Sequence, residues 1–129
     1  MKELQEYAAT FQREMDWEIS SASYTESRAS LLNNYMLLTT EVAEIAEEYR
    51  KAFNRTNTLI EEGVDEQEAF GRAKESIKAD ISKEFADCLA YLTKMANYFE
   101  IDLEESFYAK MDEVKQRKNK DVPLIKKNK

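Results

Sequence analysis

Two pairs of carboxylates, each spaced three residues apart, are the side chains in this sequence with the clearest chemical use. Glu41 and Glu44 form the first pair, and Glu84 and Asp87 form the second. Residues three apart in an α-helix project from one side, so each pair presents two carboxylates together. Two helices packed antiparallel would bring both pairs into one cage of oxygen atoms. Because hard divalent cations prefer oxygen ligands, the spacing predicts four ligands for Mg²⁺, with Mn²⁺ as the alternative.

The same spacing also arises by chance in a chain with 26 acidic residues. Glutamate is a good helix former, and most Glu-x-x-Glu pairs are solvated helix faces. Glu47 and Lys51 illustrate that case, and we expect them to form a surface ion pair. The predicted ligands differ because apolar residues such as Val42 and Ile45 flank them. Glu48 lies four residues after Glu44 and therefore continues the carboxylate face of the first pair. Glu48 or Glu47 is the candidate to accept a proton in catalysis.

Composition excludes several other chemistries. The chain has no His and a single Cys, so it has no disulfide of its own, no zinc cluster and no Cys/His or Ser/His catalytic pair. Ferritin-like di-iron bundles need histidines and are excluded for the same reason. A net charge of −7 argues against a nucleic-acid partner, because contacts to phosphate drive that affinity.

Hydropathy gives no sign of a membrane partner. No apolar run approaches the roughly 20 residues of a membrane-spanning helix, and the first residues lack the apolar core of a signal peptide. We therefore expect a cytoplasmic protein.

The elements that must position the carboxylates are helices. Only 2 Gly and 1 Pro occur among 129 residues, and apolar residues recur every three or four positions. This periodicity predicts helices over about residues 3–17, 27–54, 65–99 and 103–118. The third is expected to be one long helix or two consecutive ones, with a kink or break near residues 71–78, because Gly71 weakens its first turns. The second helix carries the strongest stripe: Leu31, Tyr35, Leu38, Val42, Ile45, Tyr49 and Phe53.

Local signals mark the ends of these helices. Asp65 with Glu68 and Asp102 with Glu105 have the spacing of capping boxes, which begin helices. Residues 54–63 form a predicted polar connection, and the hydroxyl-rich residues 20–25 form a predicted loop. The length fits one all-α domain over residues 1–120, followed by a flexible basic tail over residues 121–129.

Four segments resemble one family, the MazG-like all-α nucleoside triphosphate pyrophosphohydrolases. Thr40–Glu47 is similar to the family signature Glu-Val-Gly-Glu-Leu-Ala-Glu, and Glu84–Leu92 is similar to Glu-Leu-x-Asp-Val-Leu-x-Tyr-Leu. Phe11–Glu18 and the stretch from Asp102 to Arg117 resemble the dCTP pyrophosphatase branch. Together the four segments cover most of the chain and occur in the family's order.

The resemblance implies a four-helix bundle that is dimeric or tetrameric. It implies Mg²⁺-dependent hydrolysis of a nucleoside triphosphate, a pyrimidine or modified deoxynucleotide, to the monophosphate and pyrophosphate. The four carboxylates correspond to metal ligands and catalytic residues, with Glu48 beside them. Lys110 and Arg117 correspond to basic residues near the phosphates, and Trp17 and Tyr91 are candidate substrate contacts.

The sequence departs from the dCTP pyrophosphatase branch at positions that bear on the base. Val114 stands where the branch has Asn, Lys51 falls where it has Trp, and no His is present to line a base pocket. Two alternatives remain open at this point. One is an enzyme resembling phosphoribosyl-ATP pyrophosphohydrolase, and the other is a non-enzymatic acidic helical module that binds another protein.

Overall fold

A computed structural model describes the backbone of residues 1–127 and the side chains of residues 1–117. Over that part of the chain it contains four α-helices and no strand, which confirms the all-α class. The helices are α1 (Lys2–Glu14), α2 (Tyr24–Glu61), α3 (Glu66–Tyr98) and α4 (Leu103–Lys127). Among the described residues, none of these helices combines the length and the apolar character needed to cross a bilayer.

Several helix boundaries differ from the prediction. α2 continues to Glu61, so the polar connection predicted over 54–63 is wrong except at its end. Two threonines there bond to the helix backbone: Thr56 Oγ1 donates to the carbonyl of Ala52 at 2.7 Å, and Thr58 Oγ1 donates to that of Asn54 at 3.1 Å. α1 ends at Glu14, three residues early, and α3 is one continuous helix through Gly71.

α4 extends beyond its predicted end near residue 118 and runs through Pro123 to Lys127. The predicted flexible tail, residues 121–129, therefore overlaps this helix, and its last two residues lie outside the described part of the chain.

Both predicted capping residues cap their helices. Asp65 Oδ2 accepts hydrogen bonds from the backbone N–H groups of Gln67 at 3.2 Å and Glu68 at 3.4 Å. Asp102 Oδ1 accepts one from the N–H of Glu105 at 3.2 Å. Each bond satisfies a backbone donor that has no partner within its helix, so the starts of α3 and α4 are fixed locally.

A four-residue connection reverses the chain between α2 and α3. Gly63 adopts φ +97°, and the N–H of Val64 donates to the carbonyl of Leu59 at 3.0 Å. This is a Schellman ending, whose left-handed residue is usually glycine. Asp16 and Glu100 take left-handed backbone conformations after α1 and α3 without being glycine. Of these three helix ends, only the one at Gly63 has the glycine that usually marks a left-handed helix ending in a sequence.

The chain divides into two compact units. The hairpin unit, Ile19–Met95, contains α2 and most of α3. The terminal unit, Met1–Glu18 with the chain from Ala96 onward, contains α1 and α4.

In the hairpin unit α2 and α3 run antiparallel. Glu41 on α2 interacts electrostatically with Glu84 and Asp87 on α3. Lys51, ten residues further along α2, interacts with Asp80, which comes earlier on α3. Later positions on α2 therefore face earlier positions on α3, the arrangement that the sequence analysis required to bring the carboxylate pairs together.

The inner face of α2 carries a polar residue at every seventh position. Ser27, Asn34, Glu41 and Glu48 are buried or half-buried, and Leu31, Leu38, Ile45 and Ala52 alternate with them. Spacings of three and four residues define one helix face.

The other half of the predicted apolar stripe is exposed to solvent: Tyr35 (58% exposed), Val42 (53%), Tyr49 (45%) and Phe53 (55%). α2 therefore has two apolar faces, of which the inner one is buried or half-buried and the outer one is exposed.

The terminal unit has a network of amide hydrogen bonds. Gln5 Nε2 donates to Asn97 Oδ1 at 2.9 Å and to the carbonyl of Ile101 at 2.6 Å. Gln5 Oε1 accepts from the backbone N–H of Leu103 at 2.9 Å, and Asn97 Nδ2 donates to Gln12 Oε1 at 3.3 Å. These bonds connect α1 to the end of α3 and to the start of α4.

Candidate functional site

Three of the four predicted metal ligands lie together in the hairpin unit. Glu41, Glu84 and Asp87 each offer a carboxylate oxygen, and these oxygens lie within 4.8 Å of one another. We call this group the carboxylate cluster. Glu41 and Glu84 are half-buried, whereas Asp87 is exposed. The cluster is therefore partly accessible to solvent.

The environment of Glu41 in this cluster alters its titration. Burial raises the pKa of Glu41, and the Asp87 charge raises it further. A side-chain hydrogen bond with Glu84 and the charges of Glu84 and Glu44 act in the same direction. Desolvation and like charge both disfavour the ionised form, so a bound cation would relieve this unfavourable interaction.

Cys88 lies close to the same charges. Burial raises the pKa of its thiol, and the negative charges of Glu41, Asp87 and Glu84 raise it further. The thiol is therefore held protonated beside the carboxylate cluster and is a poor nucleophile.

Glu44, the fourth predicted ligand, is exposed and is not one of the three residues whose oxygens lie within 4.8 Å. It still influences Glu41 through its charge. The role of Glu44 as a ligand remains a prediction.

Glu48 is the most deeply buried acidic residue that the structure describes, at 6% exposure of the whole residue. Its Oε2 accepts a hydrogen bond from Lys51 Nζ at 3.0 Å, while its Oε1 has no hydrogen-bond partner among the described residues. Glu47 pairs instead with Arg50, at 2.9 Å. The predicted ion pair of Glu47 with Lys51 is therefore wrong, because each base pairs with the acid three positions before it and not four, so that Lys51 pairs with Glu48.

The predicted substrate contacts lie on several elements. Tyr91 is half-buried on α3, four residues after Asp87. Trp17 makes an edge contact with Phe11, with ring centroids 6.0 Å apart. On α4, Lys110 pairs with Glu113 at 3.2 Å, and Arg117 is exposed. The substrate roles of these four residues therefore remain predictions.

Two polar residues of the hairpin unit were missed by the sequence analysis. Asn34 is buried at 4% exposure and donates from Nδ2 to the carbonyl of Ser30 at 2.7 Å, while its Oδ1 lacks a partner among the described residues. Lys94 is half-buried on α3, with Nζ 5.9 Å from the centroid of the Tyr91 ring. Seven-residue spacing from Glu41 and from Asp87 would have identified both.

The fold and the site define an all-α protein with an acidic cluster between two antiparallel helices. The chain matches no protein-family model, no curated protein and no solved structure. Any assignment to a family therefore depends on the four sequence motifs and on the geometry of the cluster.

Proposed function

We propose that this protein is a MazG-like nucleoside triphosphate pyrophosphohydrolase that acts in cleaning the nucleotide pool. Its substrate is a nucleoside triphosphate, a pyrimidine or modified deoxynucleotide, which it hydrolyses to the monophosphate and pyrophosphate. The observation that supports this most directly is the convergence of Glu41, Glu84 and Asp87 to within 4.8 Å. These three residues come from the two motifs that resemble the family's acidic signatures.

The donor set of the carboxylate cluster fits a hard divalent cation. All three donors are carboxylate oxygens, and the chain has no His that would favour a softer metal. Mg²⁺ is the expected ion, with Mn²⁺ as a substitute. Glu41, Glu84 and Asp87 would hold it, and Glu44, whose charge also acts on Glu41, is the proposed fourth ligand. A bound divalent cation neutralises phosphate charge and makes a water more acidic.

The reaction joins the oxygen of water to phosphorus, breaks the α–β phosphoanhydride bond and releases pyrophosphate and a proton. Glu48 is the proposed acceptor of that proton, because its Oε1 is the one buried carboxylate oxygen without a partner among the described side chains. Lys110 and Arg117 are the proposed contacts of the departing pyrophosphate, whose negative charge increases as the bond breaks.

Self-association is part of this proposal. The outer face of α2 exposes large apolar side chains at Tyr35, Val42, Tyr49 and Phe53. Phe85 adds a side chain that is 49% exposed on α3. Contiguous apolar surface of this kind is typical of an interface, so we expect a homodimer or homotetramer.

Sedimentation at micromolar concentration tests the association directly. Val42→Glu should shift the protein toward monomer, because it places a charge in the interface. A 15.1 kDa monomer of the unaltered chain would contradict the association.

A panel of nucleoside triphosphates, assayed with Mg²⁺ for pyrophosphate and monophosphate together, tests the activity. We expect turnover that EDTA abolishes and that Asp87→Asn removes. Glu75→Gln is the matched control, because Glu75 is exposed on the same helix as Asp87 and lies outside the cluster. Release of pyrophosphate from phosphoribosyl-ATP alone would favour that related activity instead. The absence of turnover with every substrate would favour a protein-binding module.

A further inference from the structure

α1 turns its polar side toward the rest of the terminal unit and its apolar side toward solvent. Gln5 and Gln12 are buried, and their side-chain amides bond to Asn97. The apolar positions of the same helix are 40–70% exposed, and we call them the α1 stripe: Leu4, Tyr7, Phe11 and Met15. A surface helix normally buries its apolar stripe and exposes its polar face, so α1 is amphipathic in the reverse sense within one copy.

The α1 stripe forms one continuous surface. Its residues are three or four positions apart, which places them on one side of the helix. The rings of Tyr7 and Phe11 stack on each other, with centroids 6.4 Å apart. Contiguous exposed apolar surface of this kind marks an interaction site.

α4 has a matching feature. Every residue of α4 from Glu105 to Arg117 is exposed, so no side of this stretch is covered within the described part of the chain. It contains three apolar side chains at spacings of four and three residues, which are 37–58% exposed and which we call the α4 stripe: Phe107, Met111 and Val114. Helices gain most of their stability from packing an apolar face, so the α4 stripe also needs a partner.

Charge distinguishes the two stripes. In ideal helical geometry, Glu3 and Glu14 lie within about 40° of the α1 stripe, and three bases lie within about 60° of the α4 stripe: Lys110, Lys115 and Arg117. All five are exposed. Two α1 stripes that face each other across a two-fold axis would bring acid against acid, and two α4 stripes would bring base against base. Opposite charge therefore favours α1 against α4.

The bases beside the α4 stripe keep their access to solvent in such a contact. Lys110 pairs with Glu113 at 3.2 Å, but both side chains are exposed and solvent screens the pair. Residues at the rim of an interface stay accessible. The placement of Lys110 and Arg117 beside the stripe is therefore compatible with their proposed contact to pyrophosphate.

We propose that the terminal units of two copies of this chain bind each other, with the α1 stripe of each copy against the α4 stripe of the other. Because each copy supplies both stripes, the contact is reciprocal and closes after two copies. The inference goes beyond the proposed function, which assigns self-association to the outer face of α2 in the hairpin unit. A chain that uses both surfaces assembles into a tetramer.

The two stripes have enough apolar area for a stable interface. Their seven side chains are about half exposed. Large side chains present about 200 Å² each, which leaves roughly 700 Å² to bury in each copy. Two copies then bury about 1,400 Å², within the range of about 1,200–2,000 Å² that is typical of stable interfaces.

Sedimentation of the full chain at micromolar concentration tests the pairing. Tyr7→Glu places a charge in the α1 stripe and should lower the molar mass of the assembly to about half, and Met111→Glu should do the same through the α4 stripe. Tyr24→Glu and Gln116→Glu are the matched controls and should leave the mass unchanged. Tyr24 is exposed at the start of α2, and Gln116 is exposed on the side of α4 opposite its stripe.

Both stripe residues are exposed within one copy, so each variant should fold, and circular dichroism checks this. A folded Tyr7→Glu or Met111→Glu variant with the mass of wild type would overturn the proposal. A wild type that sediments as a 15.1 kDa monomer would overturn it as well.

Chemical cross-linking identifies which helices meet. In a background of Cys88→Ser, which removes the single native cysteine, copies with Tyr7→Cys are mixed with copies with Met111→Cys and treated with a short bis-maleimide. Cross-linked dimers should form in the mixture and not from either kind of copy alone. Dimers of the Tyr7→Cys copy with itself would show that α1 pairs with α1, which contradicts the assignment.

Val42→Glu separates this inference from the self-association in the proposed function. With the terminal units intact, Val42→Glu should stop at a dimer, and adding Met111→Glu should give the 15.1 kDa monomer. If Val42→Glu alone gives the monomer, the terminal pairing is wrong and the α2 interface stands. If Val42→Glu has no effect but Tyr7→Glu lowers the mass, the α2 interface fails and the terminal pairing stands. None of these measurements uses turnover, so a failure of the hydrolase proposal would leave the pairing intact.

Discussion

The two units of this protein solve the problem of buried polar groups in opposite ways. In the terminal unit, Gln5 uses both its amide nitrogen and its oxygen in hydrogen bonds of 2.6–2.9 Å. In the hairpin unit, the inner face of α2 places Glu41 against two other carboxylates. It also leaves Glu48 Oε1 and Asn34 Oδ1 without partners among the described residues.

This difference distinguishes a structural network from a binding site. A satisfied amide network fixes how helices pack, and nothing more is needed to explain it. Repelling carboxylates and unpartnered acceptors reduce stability unless a ligand compensates. Burial alone therefore does not identify function here, and the informative property is whether the buried groups are satisfied by the chain itself.

The largest expected effect comes from Glu84→Gln, which removes one charge of the carboxylate cluster and keeps its shape. Hydrolysis that depends on Mg²⁺ should fall at least about 100-fold, because a ligand is lost. Without metal, the variant should melt at the same temperature as wild type or higher, because repulsion with Glu41 and Asp87 decreases.

Melts with and without Mg²⁺, run beside the pyrophosphate assay, measure both halves of this prediction. Mg²⁺ should stabilise wild type more than Glu84→Gln, since a ligand of the folded state shifts unfolding. Glu75→Gln, an exposed change on the same helix, is the control. A variant that melts earlier without metal and keeps its activity would make Glu84 an ordinary structural residue.

The next effect concerns the amide network and should alter stability instead of chemistry. Gln5→Ala leaves Asn97 Oδ1 and the Leu103 N–H without their partner, and should cost about 2–3 kcal/mol of unfolding free energy. Activity per folded molecule should not change. Urea denaturation measures the unfolding free energy of Gln5→Ala beside that of Glu6→Ala. Glu6 is an exposed neighbour, and its replacement is expected to shift stability by less than about 0.5 kcal/mol. Equal stability of the two variants would mean that the network is dispensable.

The smallest effect separates two ion pairs that are adjacent on α2. The side chain of Glu48, paired with Lys51, is 8% exposed, whereas the side chain of Glu47, paired with Arg50, is 57% exposed. Lys51→Met should lower the melting temperature because it leaves a buried carboxylate uncompensated, while Arg50→Met should have almost no effect.

Adding Glu48→Gln to the Lys51→Met variant should recover part of the lost melting temperature, because the uncompensated charge is gone. Equal melting temperatures for the two single variants would show that the Glu48 charge finds compensation elsewhere. In that case the two ion pairs would differ in solvent exposure and not in their contribution to stability.

Sequence reasoning was most accurate where the cause of a structure lies within a few residues. Asp65 and Asp102 cap their helices as predicted, because a capping bond spans only two or three positions. It was least accurate for the ends of α2, because helix length depends on contacts with distant parts of the chain.

The sequence by itself determined that this protein is all-α, where two of its helices begin and which two helices carry paired carboxylates. These are consequences of composition, capping and a repeat of three to four residues. Only the tertiary structure decided that Glu41, Glu84 and Asp87 converge while Glu44 stays outside the group. The physical reason is the register of α2 against α3, which is set along the whole length of the hairpin and cannot be derived from spacing within either helix.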